Sequence, residues 1–150
     1  YPNGTHVCEV EIDPETGMTE LLSYTICDDF GVTVNPILLA GQIHGGVAQG
    51  IGQALIENAV YDETGQLVTA SFMDYAMPRA DEYPFFEIET NSVPTTRNPL
   101  GIKGAGEAGT VGAVACLTSA LLDALSPLGV TNLPMPATPE RIWRAIQAAP

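Results

Sequence analysis

Residues 7–27 read VCEVEIDPETGMTELLSYTIC, and this stretch decides the fold class. Apolar and acidic side chains alternate over residues 7–13, which is the period of a half-buried strand. The segment Asp-Pro-Glu-Thr-Gly at 13–17 has turn chemistry, since proline presets φ and glycine accepts a positive φ. Alternation resumes over residues 19–27. The stretch therefore predicts an antiparallel hairpin whose outward carboxylates supply much of the negative charge.

Two long uncharged segments predict helices. Asn35 followed by Pro36 is typical of a helix cap and a first helical position, so a helix is predicted from residue 36 to about 58. A second is predicted over residues 108–122, extending to about 126 before Pro127. Helices uncharged over such lengths are expected to be buried on most sides. Glycines in the first one cost roughly 1 kcal/mol each relative to alanine, which indicates that something approaches the backbone closely.

The remaining segments complete an α+β domain. A second hairpin is predicted over residues 60–70, an ordered loop or short helix over 71–84, and a strand over 85–90. Thr138 is expected to cap a short helix over residues 139–148. The hairpins imply a mixed or antiparallel sheet packed with two long buried helices, in one domain that spans residues 1–150.

The charge balance excludes two classes of partner. The 150 residues include 18 acidic and 5 basic side chains, which gives a formal charge of −13. Contacts to phosphate need clustered lysines and arginines, so neither nucleic acid nor an acidic membrane surface is an expected partner. The longest uncharged stretch, residues 30–56, contains polar residues, proline and several glycines. We therefore expect no transmembrane segment.

Cysteines, histidines and the first residues bear on the cellular context. Cys8, Cys27 and Cys116 are too widely spaced for a disulfide framework or a metal site, which favours buried free thiols in the cytoplasm. His6 and His44 lie far from any cysteine pair, so no metal ligand is expected. The chain starts at a tyrosine without a basic region of the signal-peptide type. We expect a piece of a longer polypeptide, or a processed one.

The segment Lys103-Gly-Ala-Gly-Glu-Ala-Gly109 is the first candidate site. It contains G-x-G-x-x-G, but residues 95–100 before it do not form the buried strand that a dinucleotide-binding fingerprint needs. The glycines leave backbone N–H groups free for a ligand. Glu107, at the start of an uncharged helix, is a candidate general base. The alternative is that Glu107 only complements the helix dipole.

A glutamine stripe on the first helix is the second candidate. At 100° per residue, Gln42, Gln49 and Gln53 fall on one face. A buried glutamine must satisfy its donors and its acceptor, so such a stripe suits a polar cofactor. The alternative is an ordinary polar stripe that faces solvent. His44 lies off the stripe and is expected to be a satisfied core residue.

The loop over residues 71–84 is rich in aromatic residues and methionines. These side chains are expected to pack inward. The alternative is that they form one wall of a substrate pocket. The side chains concerned are Phe72, Met73, Tyr75 and Met77.

Four ordered motifs together resemble one enzyme family. They are GQIHGGVAQGIGQAL at 41–55, SFMDYAMPR at 71–79, NPLGIKGAGEAG at 98–109 and MPATPERIW at 135–143. They are similar to the C-terminal part of the molybdopterin-binding large subunit of the xanthine dehydrogenase and aldehyde oxidase family, in its carbon monoxide dehydrogenase-type branch. The resemblance covers essentially the whole chain.

The resemblance implies a molybdenum hydroxylase that oxidises an aldehyde, an N-heterocycle or a CO-like substrate with water-derived oxygen. It makes Glu107 the general base. The implied cofactor is a molybdenum pterin, expected in the molybdopterin cytosine dinucleotide form. The residues implied to contact this cofactor are Gln49 and the loop residues Lys103, Gly104, Ala105 and Gly106.

The same resemblance implies partners. The remainder of the large subunit completes the cofactor pocket, electrons pass to Fe-S and FAD subunits or domains, and the assembly is expected to be oligomeric. The isolated chain is therefore expected not to turn over a small-molecule substrate. Two other interpretations stay open: a non-catalytic assembly subunit or fragment that retains the fold, and a nucleotide-binding module with affinity for NAD or ATP.

Overall fold

A computed structural model describes residues 1–149 and contains a mixed sheet. Strands β1 (Asn3–Ile12) and β2 (Thr19–Asp29) pair antiparallel, and β3 (Glu87–Thr90) pairs parallel with β2, which gives the order β1-β2-β3. The predicted hairpin is present and is longer than predicted at both ends. With the helices described below, the α+β prediction is confirmed.

The turn between β1 and β2 is held by its own side chains. Asp13 accepts hydrogen bonds from the Glu15 backbone N–H at 2.9 Å and from the Thr16 hydroxyl at 2.6 Å. Gly17 has a φ of 74°. A Cβ on Gly17 would lie 2.1 Å from the carbonyl oxygen of Pro139, so the turn sits directly against the start of the last helix.

The first helix, α1 (Pro36–Ile51), begins as the sequence predicts. The Leu38 backbone N–H donates to the side chain of Asn35 at 3.1 Å, which satisfies one of the free donors of the first turn. One π-helical turn (Gly52–Ile56) follows, so the helical segment ends two residues before the predicted boundary.

The second and third helices also lie close to their predicted limits. Helix α2 (Ala108–Leu125) continues into one 3-10 turn (Ser126–Leu128), and Gly129 ends it with a φ of 81°. Helix α3 (Pro139–Ala148) starts after Thr138. Thr138 is the N-cap residue, as predicted, although its side chain makes no capping hydrogen bond.

Glycines set how closely α1 and α2 approach. A Cβ on Gly109 would lie 2.5 Å from the Ile43 carbonyl oxygen, and Gly46 and Gly50 of α1 face α2 at the same crossing. The Thr110 hydroxyl donates to the Gly46 carbonyl at 3.0 Å across this contact. The close approach expected from these glycines is therefore that of a neighbouring helix.

Within residues 1–149 both long helices are buried on one face only, which differs from the predicted burial on most sides. In α1 one face is buried, whereas Ile37 and Leu38 are 84% and 71% exposed. In α2 the buried residues repeat at helical spacing, and Val111 is 70% exposed. Helix α2 packs against both α1 and β1, and one face of each helix is left uncovered by the rest of residues 1–149. The buried residues of α2 are Gly109, Ala113, Leu117, Leu121 and Leu125.

Residues 60–84 differ from the prediction in two ways. The second hairpin is reduced to one isolated bridge between Tyr61 and Leu67, around a turn with a positive φ at Gly65. The side chains expected to pack inward mostly face outward, with Phe72 and Met73 at 85% and 94% exposed. Met77 is also exposed. Tyr75 alone of the four is half-buried, and its hydroxyl donates to Glu57 at 2.5 Å.

The three cysteines are free thiols, as expected, but they are not all buried. Cys27 is exposed, since no element within residues 1–149 covers the face of β2 on which it lies. Cys8 on β1 and Cys116 on α2 are half-buried.

One helical stretch within residues 1–149 is long and apolar enough to cross a membrane by length and composition alone. It is Ala108–Leu128, with a mean hydropathy of 1.6. The sequence expectation of no such segment considered residues 30–56 and passed over this stretch, which contains one acid, Asp123. In the structure α2 packs against α1 and β1. Core helices of proteins that span no membrane meet the same criterion of length and hydropathy.

Candidate functional site

The glycine loop before α2 is anchored to the end of β2. The Lys103 backbone N–H donates to the Phe30 carbonyl at 2.9 Å. Asn98 closes the preceding turn, because its side chain donates to the Ile102 carbonyl at 2.9 Å and accepts from the Ile102 N–H at 3.2 Å. Gly101 has a φ of 69° in this turn, a conformation that glycine adopts at little cost. The loop therefore enters α2 from a fixed starting point.

A buried ion pair fixes the same loop through a side chain. The Lys103 ammonium nitrogen lies 2.5 Å from Asp29 Oδ2, and both side chains are nearly buried. Asp29 Oδ1 also accepts from the backbone N–H groups of Gly31 at 2.8 Å and Val93 at 3.0 Å. The Lys103 ammonium and these donors hold the pKa of the Asp29 carboxyl well below its usual range.

We expect Asp29→Asn to lower the Tm of the complete enzyme near pH 7, because the Lys103 ammonium loses its charged partner. The folded pKa of Asp29 is depressed, so its contribution is complete above the unfolded pKa near 4 and is lost as the pH falls through the folded value. The Tm difference from wild type should stay constant between about pH 7 and 5 and shrink below about pH 4.

Thermal unfolding over a pH series measures this difference. Glu140→Gln is the matched control, because the Glu140–Arg144 ion pair is exposed and such pairs contribute little. A difference for Asp29→Asn that is no larger than that of the control at pH 7 would contradict the structural role of the ion pair.

Residues 103–106 alternate between the protein interior and open space. Lys103 and Ala105 face inward, to Asp29 and to the hydrophobic core respectively. A Cβ on Gly104 or Gly106 would meet nothing within 4 Å. The side-chain amide of Gln42 donates to the Gly106 carbonyl at 2.6 Å, so α1 also holds the loop.

Glu107 lies at the N-cap position of α2 and opens onto a cavity. Its side chain is exposed and makes no capping hydrogen bond, so it is not engaged at the helix terminus. The cavity has a volume of about 470 Å³. Glu107 lines it together with Gly104 and Gly106, and the opposite wall includes His6 and Asp28. The fold therefore places one carboxylate, two open glycines and a histidine–aspartate pair around a single space.

Sequence reasoning missed the pair of His6 and Asp28. His6 Nδ1 lies 2.7 Å from the Tyr24 hydroxyl, and His6 Nε2 lies 3.6 Å from Asp28 Oδ2. Within residues 1–149, Asp28 Oδ2 is buried without a hydrogen-bond partner, and this burial raises the pKa of the Asp28 carboxyl. The available signal was the doublet of aspartates that ends an alternating strand.

The three glutamines of the stripe do not themselves line the cavity, although Gln42 holds the Gly106 carbonyl of its wall. Gln49 is exposed, and its side-chain oxygen lies 3.2 Å from the Thr110 hydroxyl oxygen. Gln42 and Gln53 are exposed as well. Gln49 therefore reaches the first turn of α2 from the α1 side, while Glu107 opens toward the sheet. His44 stacks against Phe86, at a centroid distance of 5.5 Å, as an aromatic packing residue.

Comparison with known proteins identifies the family. A family model described as the molybdopterin cofactor-binding domain matches residues 1–84, which is more than half of the chain. The chain belongs to this family. The matched region contains β1, β2 and α1, and the loop with Glu107 follows it. Among residues 1–149 there is no group of three or more histidine, cysteine or acidic side chains placed to hold a metal ion.

Relatives of this molybdopterin cofactor-binding chain are much longer. It is 44% identical to the nicotine 6-hydroxylase large subunit of Paenarthrobacter nicotinovorans, over 97% of this chain and 18% of the relative. It is 37% identical to the carbon monoxide dehydrogenase large chain of Hydrogenophaga pseudoflava, over 98% and 18%. The crystal structure of quinoline 2-oxidoreductase from Pseudomonas putida 86 superposes with a TM-score of 0.95 at 43% identity, over 99% and 19%. The chain thus spans about a fifth of the length of these oxidoreductases.

The loop geometry fits a molybdopterin cofactor. A Cβ would meet nothing within 4 Å at Gly104 and Gly106 of the loop. A bound group therefore has room to contact the backbone there, as glycine-rich turns allow for phosphate-bearing ligands. The Lys103 ammonium is held by Asp29 and the Lys103 backbone N–H by the Phe30 carbonyl, so neither group is available to a ligand.

Proposed function

We propose that this chain is the C-terminal part of the large subunit of a molybdenum hydroxylase. The proposed reaction oxidises an aldehyde, an N-heterocycle or a CO-like small molecule with water-derived oxygen. The observation that carries the proposal is the position of Glu107, at the start of α2 and on the wall of the 470 Å³ cavity. Membership of the molybdopterin cofactor-binding family and the enzymes to which the chain is similar support the same reaction class.

The residues that would hold the cofactor are the loop backbone at Lys103, Gly104, Ala105 and Gly106, and the amide of Gln49. There is open space beside Gly104 and Gly106 for a bound group, and the exposed Gln49 amide lies at the first turn of α2, beside Thr110. When bound, the molybdenum pterin supplies the two-electron oxidation. We propose the molybdopterin cytosine dinucleotide form, whose phosphates suit glycine-rich turns.

In the proposed mechanism Glu107 is the general base. A carboxylate oxygen of Glu107 accepts the proton of the attacking hydroxyl group. The hydroxyl oxygen thereby becomes a stronger nucleophile toward the electrophilic carbon of the substrate. The carboxylate is free for this task because it makes no capping hydrogen bond. Two anchors just before it in the chain, Lys103 to Asp29 and Gln42 to the Gly106 carbonyl, fix the loop that carries it.

The proposed partners are the remainder of the large subunit and Fe-S and FAD subunits or domains that receive the electrons. The exposed apolar residues Ile37 and Leu38 on α1, and Phe72 and Met73 in the following loop, support burial against a further part of the same subunit. We further propose an oligomeric enzyme in the cytoplasm.

Metal and cofactor analysis of the natively purified complex tests the proposal. We expect molybdenum and a pterin dinucleotide in stoichiometric amounts, measured by elemental assay and mass spectrometry. Turnover of an aldehyde or N-heterocycle by that complex, and not by residues 1–150 alone, is the matching activity result. A stoichiometric native complex without molybdenum would overturn the proposed function.

A further inference from the structure

Two cysteines from distant parts of the chain lie side by side. Cys8 is on β1 and Cys116 is on α2, and they are 108 positions apart in sequence. Their sulfur atoms are 3.4 Å apart. The third cysteine, Cys27 on β2, is exposed and has no such neighbour among residues 1–149.

We infer that Cys8 and Cys116 are an oxidisable thiol pair, which forms a disulfide between β1 and α2 by exchange with a low-molecular-weight disulfide such as oxidised glutathione. The inference rests on the placement of the two sulfurs and is independent of the function proposed for Glu107. A disulfide here ties the strand that carries His6 to the helix that begins after Glu107.

The geometry requires only a small movement. A disulfide bond is about 2.05 Å long, so the sulfurs must approach by roughly 1.4 Å. Rotation of two half-buried cysteine side chains supplies a shift of this size. Both cysteines line a surface groove of about 660 Å³. The other lining residues near Cys116 are small, Ala115 and Ser119 among them, so a small disulfide reagent has access to the sulfurs.

The order of attack follows from the local chemistry. The contact with the Cys8 sulfur lowers the pKa of the Cys116 thiol, which favours Cys116 as the attacking thiolate. The same contact and partial burial raise the pKa of Cys8. Cys8 therefore acts second, on the mixed disulfide.

The exchange balances without a further oxidant. The Cys116 thiolate attacks one sulfur of oxidised glutathione, which breaks the S–S bond and releases one glutathione thiolate. The Cys8 sulfur then loses its proton and attacks the Cys116 sulfur, which releases the second glutathione. The protein loses two electrons and two protons, and one glutathione disulfide becomes two glutathione thiols.

The experiment uses the natively purified holoenzyme, incubated with oxidised glutathione, alkylated under denaturing conditions and mapped by mass spectrometry. Trypsin leaves Cys8 and Cys27 in one peptide, because the first lysine or arginine is Arg79. A protease that cuts after glutamate and aspartate separates the three cysteines. The cuts that do so follow Glu9, Glu20, Asp28, Glu107 and Asp123.

We expect the peptides of Cys8 and Cys116 to be joined in a species two hydrogens lighter than their sum, and to separate again on reduction. Cys27 should carry a single glutathione. Cys27→Ser is the matched control and should keep the cross-link in full. Cys8→Ser should convert it into a stable glutathione adduct on Cys116, because the second thiol is missing, and Cys116→Ser should abolish it.

Three results would each overturn the inference. All three can be read from the peptide map of the wild-type enzyme. The first is recovery of Cys8 and Cys116 as separately alkylated thiols after exposure to the reagent. The second is a stable glutathione adduct on Cys116 in the wild type, with Cys8 still reduced. The third is a cross-link that includes Cys27. None of these results depends on molybdenum content or turnover, so they do not bear on the proposed function.

Discussion

Glu107→Gln in the complete enzyme is expected to lower kcat by about two to four orders of magnitude, the usual contribution of one general base. Glutamine keeps the size of the side chain and removes its capacity to accept a proton. The loop should be unaffected, because its anchors are Lys103, Asn98 and Gln42, and Glu107 makes no capping hydrogen bond. Molybdenum and pterin content should therefore equal that of the wild type, and only the rate should fall.

Steady-state kinetics with elemental assay on the same preparations measures both quantities. Glu63→Gln is the matched control, since Glu63 is exposed on the turn after Tyr61 and does not line the cavity. Its kcat should match the wild type. Activity of Glu107→Gln within a few-fold of wild type would show that the general base is another group.

Gly109→Ala is expected to damage both stability and rate. The added Cβ would lie 2.5 Å from the Ile43 carbonyl oxygen and 2.8 Å from the Val47 nitrogen, and backbone atoms have no rotamer with which to move away. Helices α1 and α2 must then separate, at a cost of about 1–3 kcal/mol for an overpacked contact. Gly109 follows Glu107 by two positions, so the carboxylate shifts with the helix, and a displacement of about 1 Å costs about 100-fold in rate.

Thermal unfolding and kcat of the purified enzyme check this prediction. Gly41→Ala in α1 is the control, because a Cβ there meets nothing within 4 Å and alanine favours a helix by about 1 kcal/mol over glycine. The control should hold or raise the Tm. Equal effects of the two substitutions would mean that helix propensity, and not the helix crossing, accounts for the Gly109 result.

Local chemistry predicted local structure well in this chain. Asn35 with Pro36 predicted where α1 begins, and the period of two in residues 7–27 predicted the hairpin. The parallel pairing of β3 with β2 was not predictable, because alternation shows that a strand is half-buried and says nothing of its partner. The exposure of Phe72 was not predictable for a related reason. A hydrophobic side chain indicates that it has an apolar neighbour, but it does not indicate that this neighbour lies within the same 150 residues.

The candidate site likewise contains residues that the sequence predicted and residues that only the structure revealed. Glu107 and the glycine loop were found from spacing, because their chemistry is contained in a few consecutive residues. His6 and Asp28 reach the same cavity from the first strands, about 80 to 100 positions away. No pattern within one element shows such a contact. The ion pair of Asp29 with Lys103 and the approach of Cys8 to Cys116 are further contacts of this kind.

The close packing of Gly17 against Pro139 has a consequence for synthesis of the protein. A β-hairpin forms within about 10 microseconds once both strands are available. Residue 139 leaves the ribosome more than one hundred residues after the β1–β2 turn, and at about 5–20 residues per second this interval lasts roughly 6–24 seconds. Throughout that interval the hairpin has no α3 to pack against its turn. Translation, and not strand pairing, therefore sets the time at which the two distant segments join.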